Sequence, residues 1–190
     1  MPELKEVLIS SETVFKGKFI RVAVDTIKMP DGRLTTRDCV RHPGAVAVLP
    51  IFEDGSVVMV DQYRHAPGQV FTEIPAGKVE AGQSIKETAH RELEEETGLV
   101  AAELIWIGKY HPCIGYSDEI IDFFIALNCT KTQQHFDDDE LLYAKNMLFK
   151  EVVAQCANGE QTDSKTLAGV IRVRNWWKKN GPFPLDLGEL

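Results

Sequence analysis

Apolar and polar positions along the chain divide it into strands and helices before any chemistry is considered. Residues 19–27 alternate apolar and polar side chains with β-branched enrichment, the period of a half-buried strand. Pro30-Asp31-Gly32 is a turn signal, and residues 33–41 return as a second strand. Residues 4–42 therefore read as a small set of strands, too few to bury a core alone. Residues 44–52 form a nearly unbroken apolar run, the mark of a strand buried on both faces. Asp54-Gly55 then turns the chain into residues 56–64, so the two runs read as a hairpin. Short strands follow at 71–74, 104–110, 119–127 and 142–149, and helices at 150–157 and 164–179. Strands and helices mixed in this order give an α/β sandwich. The expected division is an N-terminal antiparallel β subdomain over 1–42 and a larger domain over 43–190.

Residues 77–99, GKVEAGQSIKETAHRELEEETGL, break the ordinary helical pattern. Ser84 followed by Glu87 is a capping box, and Gly98 sits where a left-handed residue closes a helix. At about 100° per residue, Ile85, Ala89 and Leu93 make an apolar stripe. On the same count Glu96 falls at about 20° from Ile85 and Glu92 at about 340°, with Glu95 near about 280°. Two carboxylates thus lie within the face that should pack. Desolvating them together is expensive unless a cation neutralises them. Oxygen-only donors without histidine or cysteine suit hard ions such as Mg²⁺ or Mn²⁺. The plainer alternative, a solvated acidic helix, fits the face count less well.

A chain of 190 residues that is 44% hydrophobic suits one domain with a real core and a small appendage. Its net charge of −8 argues against a nucleic-acid surface, which needs clustered Lys and Arg. Cys39, Cys113, Cys129 and Cys156 are scattered without CxxC spacing, and reduced thiols are the simpler reading. The N-terminal MPELKEVLIS is too polar for a signal peptide, and no apolar run approaches the ~20 residues of a membrane span. A soluble, cytoplasmic protein with no membrane partner is expected.

Gly77, Arg91-Glu92-Leu93, Glu95-Glu96 and Gly98-Leu99 match the signature of the Nudix hydrolases, G-x5-E-x7-R-E-U-x-E-E-x-G-U, which this chain resembles. Gln83 stands where the pattern has its first Glu, keeping a hydrogen bond but not a charge. The resemblance implies an α/β/α sandwich with a mixed sheet and metal-dependent hydrolysis of a nucleoside diphosphate linked to another group. Carried over by position, Glu92 and Glu96 are the principal metal ligands. Glu95 is a ligand or a catalytic group just behind them, and the Ala76 carbonyl completes the site. Arg91 orients the glutamates.

With its N-terminal strands the chain further resembles the ADP-ribose pyrophosphatase branch, whose N-terminal sheet helps form a dimer; a homodimer is implied. That branch places a catalytic or metal-binding Glu in an acidic loop before the last strand, where this chain has Asp137-Asp138-Asp139-Glu140. In isolation such a run is a solvated acidic turn. Registered on Leu142, Glu140 becomes the metal-side carboxylate and Asp138 the general base. Arg64 matches a substrate-binding Arg whose fork suits a diphosphate, although a strand-end salt bridge is the ordinary role for such a residue. Glu73 and Glu119 match acidic positions near substrate or metals. Phe19 is a candidate to stack on a base, but packing in a core or dimer interface is the commoner use of such an aromatic. Ile114-Gly115 stands where ADP-ribose enzymes usually have Pro-Gly. The five histidines lack ligand spacing, and Trp176-Trp177 is most simply packing.

The resemblance implies Mg²⁺-dependent cleavage, with Mn²⁺ as a substitute, of a nucleoside diphosphate sugar. ADP-ribose, giving AMP and ribose 5-phosphate, stands first. GDP-mannose or another nucleoside diphosphate derivative is the close rival. A catalytically silent nucleotide-sugar sensor is the rival of another class, disfavoured because a sensor has no need of Glu92, Glu95 and Glu96.

Overall fold

The β-branched N-terminal segments pair in chain order. In a computed structural model, which describes residues 3–134 and 141–189, β1 (Val7–Lys16), β2 (Arg21–Lys28) and β3 (Leu34–Arg41) form an antiparallel meander. The β2–β3 turn places Gly32 at φ 89°, a left-handed value that side chains rarely adopt. Ala23, Asp25 and Ile27 of β2 are buried on one face, whereas β1 is exposed throughout. Its Val7, Leu8, Ile9, Val14 and Phe15 are each more than half exposed. Residues 3–44 form one compact unit together with His111–Ile120. The sequence placed that loop in the larger domain. Backbone bonds tie it instead to β3: Val40 N–H donates to the Tyr116 carbonyl at 2.7 Å, and Asp118 N–H to the Val40 carbonyl at 3.2 Å.

The second unit covers Ala45–Tyr110 and residues 121–189. Its centre is β4 (Ala45–Pro50), every residue of which is buried. β4 pairs parallel with β9 (Ile121–Lys131) and antiparallel with β7 (Ala76–Lys78), and β8 (Leu99–Tyr110) closes the far edge. Among the described residues the sheet order is β7-β4-β9-β8, a mixed sheet. β5 (Ser56–Arg64) lies between β6 (Gln69–Glu73) and β10 (Leu142–Leu148) in a separate antiparallel sheet.

The period-2 pleat sends alternate residues of β4 and β9 to opposite sides. Val46, Val48, Phe124 and Ala126 pack with Ala89 and Leu93 of α1 (Ile85–Thr97). Ala47, Leu49, Phe123 and Ile125 pack with Phe149 and Val152 of α2 (Phe149–Asn158) and Val170, Val173 and Trp177 of α3 (Ser164–Asn180). Helices thus cover both faces of a mixed sheet, the α/β/α layering the signature implies.

The expected hairpin of 44–52 with 56–64 does not form. After one bridge, Ile51 opposite Val57, the two strands enter different sheets. Both edges of β4 are already taken by β7 and β9, so β5 has no edge to join. β8 starts at Leu99, five residues before its expected start, with Leu99 and Ala101 buried and Val100, Ala102 and Glu103 exposed. β9 begins at Ile121 and leaves Glu119 in the preceding loop. All four cysteines are unpaired, and burial pushes the Cys129 and Cys156 thiols up to about 11, which makes them poor nucleophiles. Among the described residues no helix is long and apolar enough to cross a membrane.

Candidate active site

The helix that carries the signature is built as its caps dictate. Ser84 Oγ accepts from Glu87 N–H, Glu87 accepts from Ser84 N–H at 2.8 Å, and Gly98 ends the helix at φ 64°. Its buried positions are Thr88, Ala89, Glu92, Leu93 and Glu96. The stripe is therefore turned by about one residue from the expected one, and Ile85 sits exposed at its rim. The turn brings Glu92 and Glu96 deeper into the packed face. Both are buried, while Glu95 is part-exposed.

The short strand β7 pairs with β4, and those carboxylates lie against its backbone. No strand is expected at 75–77 from the sequence; in the structure Ala47 pairs with Ala76 and Val46 with Gly77. Ala76 N–H donates to Glu96 Oε2 at 2.9 Å. Gly77 lies directly under Glu92: a Cβ there would overlap the carboxyl carbon and both oxygens. Only glycine lets the backbone come this close. Arg91 spans the opening. Its Nη2 donates to Glu92 Oε1 at 2.8 Å and to the Lys78 carbonyl at 3.2 Å, and its Nη1 to Glu95 Oε2 at 2.6 Å. Burial opposes the charge on Arg91, but Glu92 and Glu95 outweigh it and hold the guanidinium charged. Gln83 accepts from Thr88 Oγ1 at 3.2 Å and from Arg91 Nε at 3.4 Å, so the amide keeps the hydrogen-bonding half of the signature Glu's place.

Among the described residues no three His, Cys, Asp or Glu side chains converge in ligating geometry. Arg91 itself accounts for two of the carboxylates, drawing Glu92 and Glu95 to its two Nη atoms. The donor chemistry nevertheless fits a hard divalent ion: buried carboxylate oxygens, a strand peptide against them, and no softer ligand.

A second charged cluster lies in the same unit. Glu73 at the end of β6 is 1% exposed and takes Arg64 Nε and Nη2 at 2.7 Å each. Lys165 Nζ also bonds Glu73, and it bonds Asp163 at 3.0 Å. Burial opposes the charge on Arg64, yet Glu73, with Glu96 and Asp163 beyond it, keeps the guanidinium charged. Glu96 thus lies within electrostatic reach of Arg64. Glu73 is occupied by these two cations, so its route to a substrate runs through Arg64. Lys165 carries no motif in the sequence; only the helix start at Ser164 hinted that its neighbours would be fixed.

In the N-terminal unit, Phe19 stacks edge-on against His42, with ring centroids 5.6 Å apart. Phe19, Arg21, Arg41 and His42 line a cavity of about 420 Å³. Arg41 bonds the buried Asp25 and also reaches Asp118 at 3.4 Å. Glu119 lies 3.8 Å from His42 Nδ1. That nitrogen accepts Gly44 N–H at 3.1 Å, so it carries no proton to share with Glu119. Arg21 and Arg41 went unremarked in the sequence, although two arginines beside an aromatic are a recurring anion- and base-binding combination. Asp138 and Glu140, assigned as base and metal-side carboxylate, lie outside the described residues.

Two family models match the chain. One, described as the NUDIX domain, covers residues 41–170; the other, described as the nucleoside diphosphate sugar hydrolase N-terminal domain, covers residues 6–40. The chain is 37% identical over 168 residues to the ADP-ribose pyrophosphatase of Bacillus subtilis (strain 168), spanning 87% of this chain and 91% of that one. It is 36% identical to the methanol dehydrogenase activator of Bacillus methanolicus over the same shares. A crystal structure of an ADP compounds hydrolase superposes with a TM-score of 0.81 at 20% identity, covering 93% of this chain and 96% of that chain, a likeness of fold.

The Gly77–Glu92 contact generates a direct test. Gly77→Ala forces the Glu92 carboxylate off its seat. The variant should keep the wild-type circular dichroism spectrum and bind Mn²⁺, followed by electron paramagnetic resonance, about 10- to 100-fold more weakly. Unchanged Mn²⁺ affinity would show that Glu92 needs no such seat.

Proposed function

The chain belongs to the Nudix hydrolase family, and from that premise we propose that it hydrolyses ADP-ribose to AMP and ribose 5-phosphate. The observation that carries the reading is the pair of buried glutamates, Glu92 and Glu96, seated against the β7 backbone at Ala76 and Gly77. Burying two carboxylates side by side is costly, and a bound cation would offset that cost. The 37%-identical relative named ADP-ribose pyrophosphatase, matched over nine-tenths of its length, supports the substrate. The match of residues 6–40 to a nucleoside diphosphate sugar hydrolase domain supports the substrate class.

Nudix hydrolases use divalent metal ions. Mg²⁺ is the ion we assign, with Mn²⁺ as a substitute, held by Glu92, Glu96 and the Ala76 carbonyl, with Glu95 as a further ligand or a catalytic group beside it. When bound, such an ion offsets phosphate charge and makes water acidic enough to attack. The protein's own part is placement. Arg91 aligns Glu92 and Glu95, and the Ala76 N–H fixes one oxygen of Glu96. Arg64 offers the Nη1 end of its fork to the diphosphate while Glu73 holds the other edge. Asp138 takes the proton from the attacking water, with Glu140 on the metal side. Phe19 is the candidate to stack on the base, and Glu119 a candidate acidic contact near substrate or metal. Water oxygen joins one phosphorus, the bridging P–O bond breaks, and the products leave as two monophosphates.

Two measurements test this. On a panel at equal concentration with Mg²⁺, ADP-ribose should be turned over fastest, and Glu96→Gln should lose at least ~10²-fold in rate with its fold intact. GDP-mannose cleaved far faster would overturn the substrate while leaving the hydrolase. No cleavage of any diphosphate derivative with any divalent ion would favour the sensor.

We also assign a cytoplasmic homodimer, supported by the unpaired cysteines and by the apolar side chains exposed along β1. Light scattering at micromolar concentration should give twice the 21.3 kDa chain mass. A fully active monomer would contradict it.

A further inference from the structure

The geometry points to Lys165 as a positioning residue for the diphosphate: it neutralises the buried Glu73–Asp163 pair so that Arg64 keeps charge to offer the substrate. This rests on the reading that Arg64 binds that diphosphate. Four charges meet at the end of β6 and the start of α3. Glu73 and Asp163 are the anions, Arg64 and Lys165 the cations. Lys165 is 12% exposed and touches both anions, whereas Arg64 is 41% exposed and touches only Glu73 among them. The inner cation balances the inner anions, and the outer cation reaches toward solvent.

The cluster as built is neutral. Without Lys165 it would carry one net negative charge in a largely dry setting, and Arg64 alone would have to compensate two carboxylates. A phosphate approaching the Nη1 end would then meet a fork whose charge is spent inward, at an effective dielectric where such differences are felt. The same group also holds the backbone. Asp163 accepts from Thr166 N–H at 3.0 Å and Thr166 Oγ1 at 2.6 Å, and Thr166 Oγ1 accepts from Ile74 N–H at 3.0 Å. Ile74 stands one residue before Pro75 and two before the Ala76–Gly77 seat. A structural role for this junction is therefore the competing account, and the test must separate charge from scaffolding.

Opposite charge changes at the two inner positions do so. Lys165→Met makes the cluster net negative. Asp163→Asn makes it net positive while keeping a good helix cap. With ADP-ribose and Mg²⁺, Lys165→Met should raise KM about tenfold with kcat within about twofold, the pattern of lost ground-state binding. Asp163→Asn should lower KM several-fold. Lys165→Arg should return KM to near the wild-type value. Scaffolding predicts instead that both neutral substitutions raise KM or leave it unchanged, and either result for Asp163→Asn overturns the inference even if Lys165→Met does not fold. Arg64→Gln separates the two levels. If it leaves KM unchanged, the placement of the diphosphate on Arg64 is wrong. If it raises KM but the Lys165 and Asp163 variants do not bracket the wild type, the Lys165 inference alone fails.

Discussion

Two carboxylates held out of water are the constraint on which the larger unit depends. Glu92 and Glu96 project from the packed face of α1, where an ordinary helix would carry Leu or Val. Each is given a specific place. The Ala76 N–H meets Glu96, the Cα of Gly77 makes room for Glu92, and Arg91 bridges Glu92 to Glu95. β7 carries both seats. Its three residues pair with β4 on one side and face α1 on the other. The sheet, the helix and the site thus meet at Gly77, where a methyl group would displace the Glu92 carboxylate.

Charge compensation extends outward in the same manner. Arg64 sits between Glu73 and the field of Glu96, and Lys165 sits between Glu73 and Asp163. Pairs of this kind add little net stability, because desolvation consumes most of the Coulomb gain. What they supply is direction. A guanidinium held on one edge by a fully buried carboxylate presents its other end in a fixed orientation, which suits a phosphate oxygen. An acidic chain thereby presents an oriented guanidinium without a basic surface.

Legibility followed range along the chain. α1 was readable almost to the residue, since its capping box and terminal glycine are local signals. Its burial phase was off by one position, because Thr88 carries no hydrophobic weight yet is wholly buried against its own helix and Gln83. The hairpin was misread because the true partner of β4 is β9, a parallel strand some seventy residues on, and nothing in a local window distinguishes the two pairings. Lys165 and Arg41 were invisible for the same reason. Lys165 meets Glu73 across 92 residues of chain, and Arg41 meets Asp25 across 16. Asp138 and Glu140 rest on the sequence alone.

The central claim is that Glu92 and Glu96, seated against Ala76 and Gly77, form the metal-holding face of the enzyme. Anomalous diffraction from crystals of the full chain soaked in Mn²⁺ tests it most directly. The account predicts a peak within coordination distance of both carboxylates and the Ala76 carbonyl, with Arg91 withdrawn from Glu92. A peak elsewhere in the molecule, at an Mn²⁺ concentration that sustains ADP-ribose hydrolysis, would contradict it.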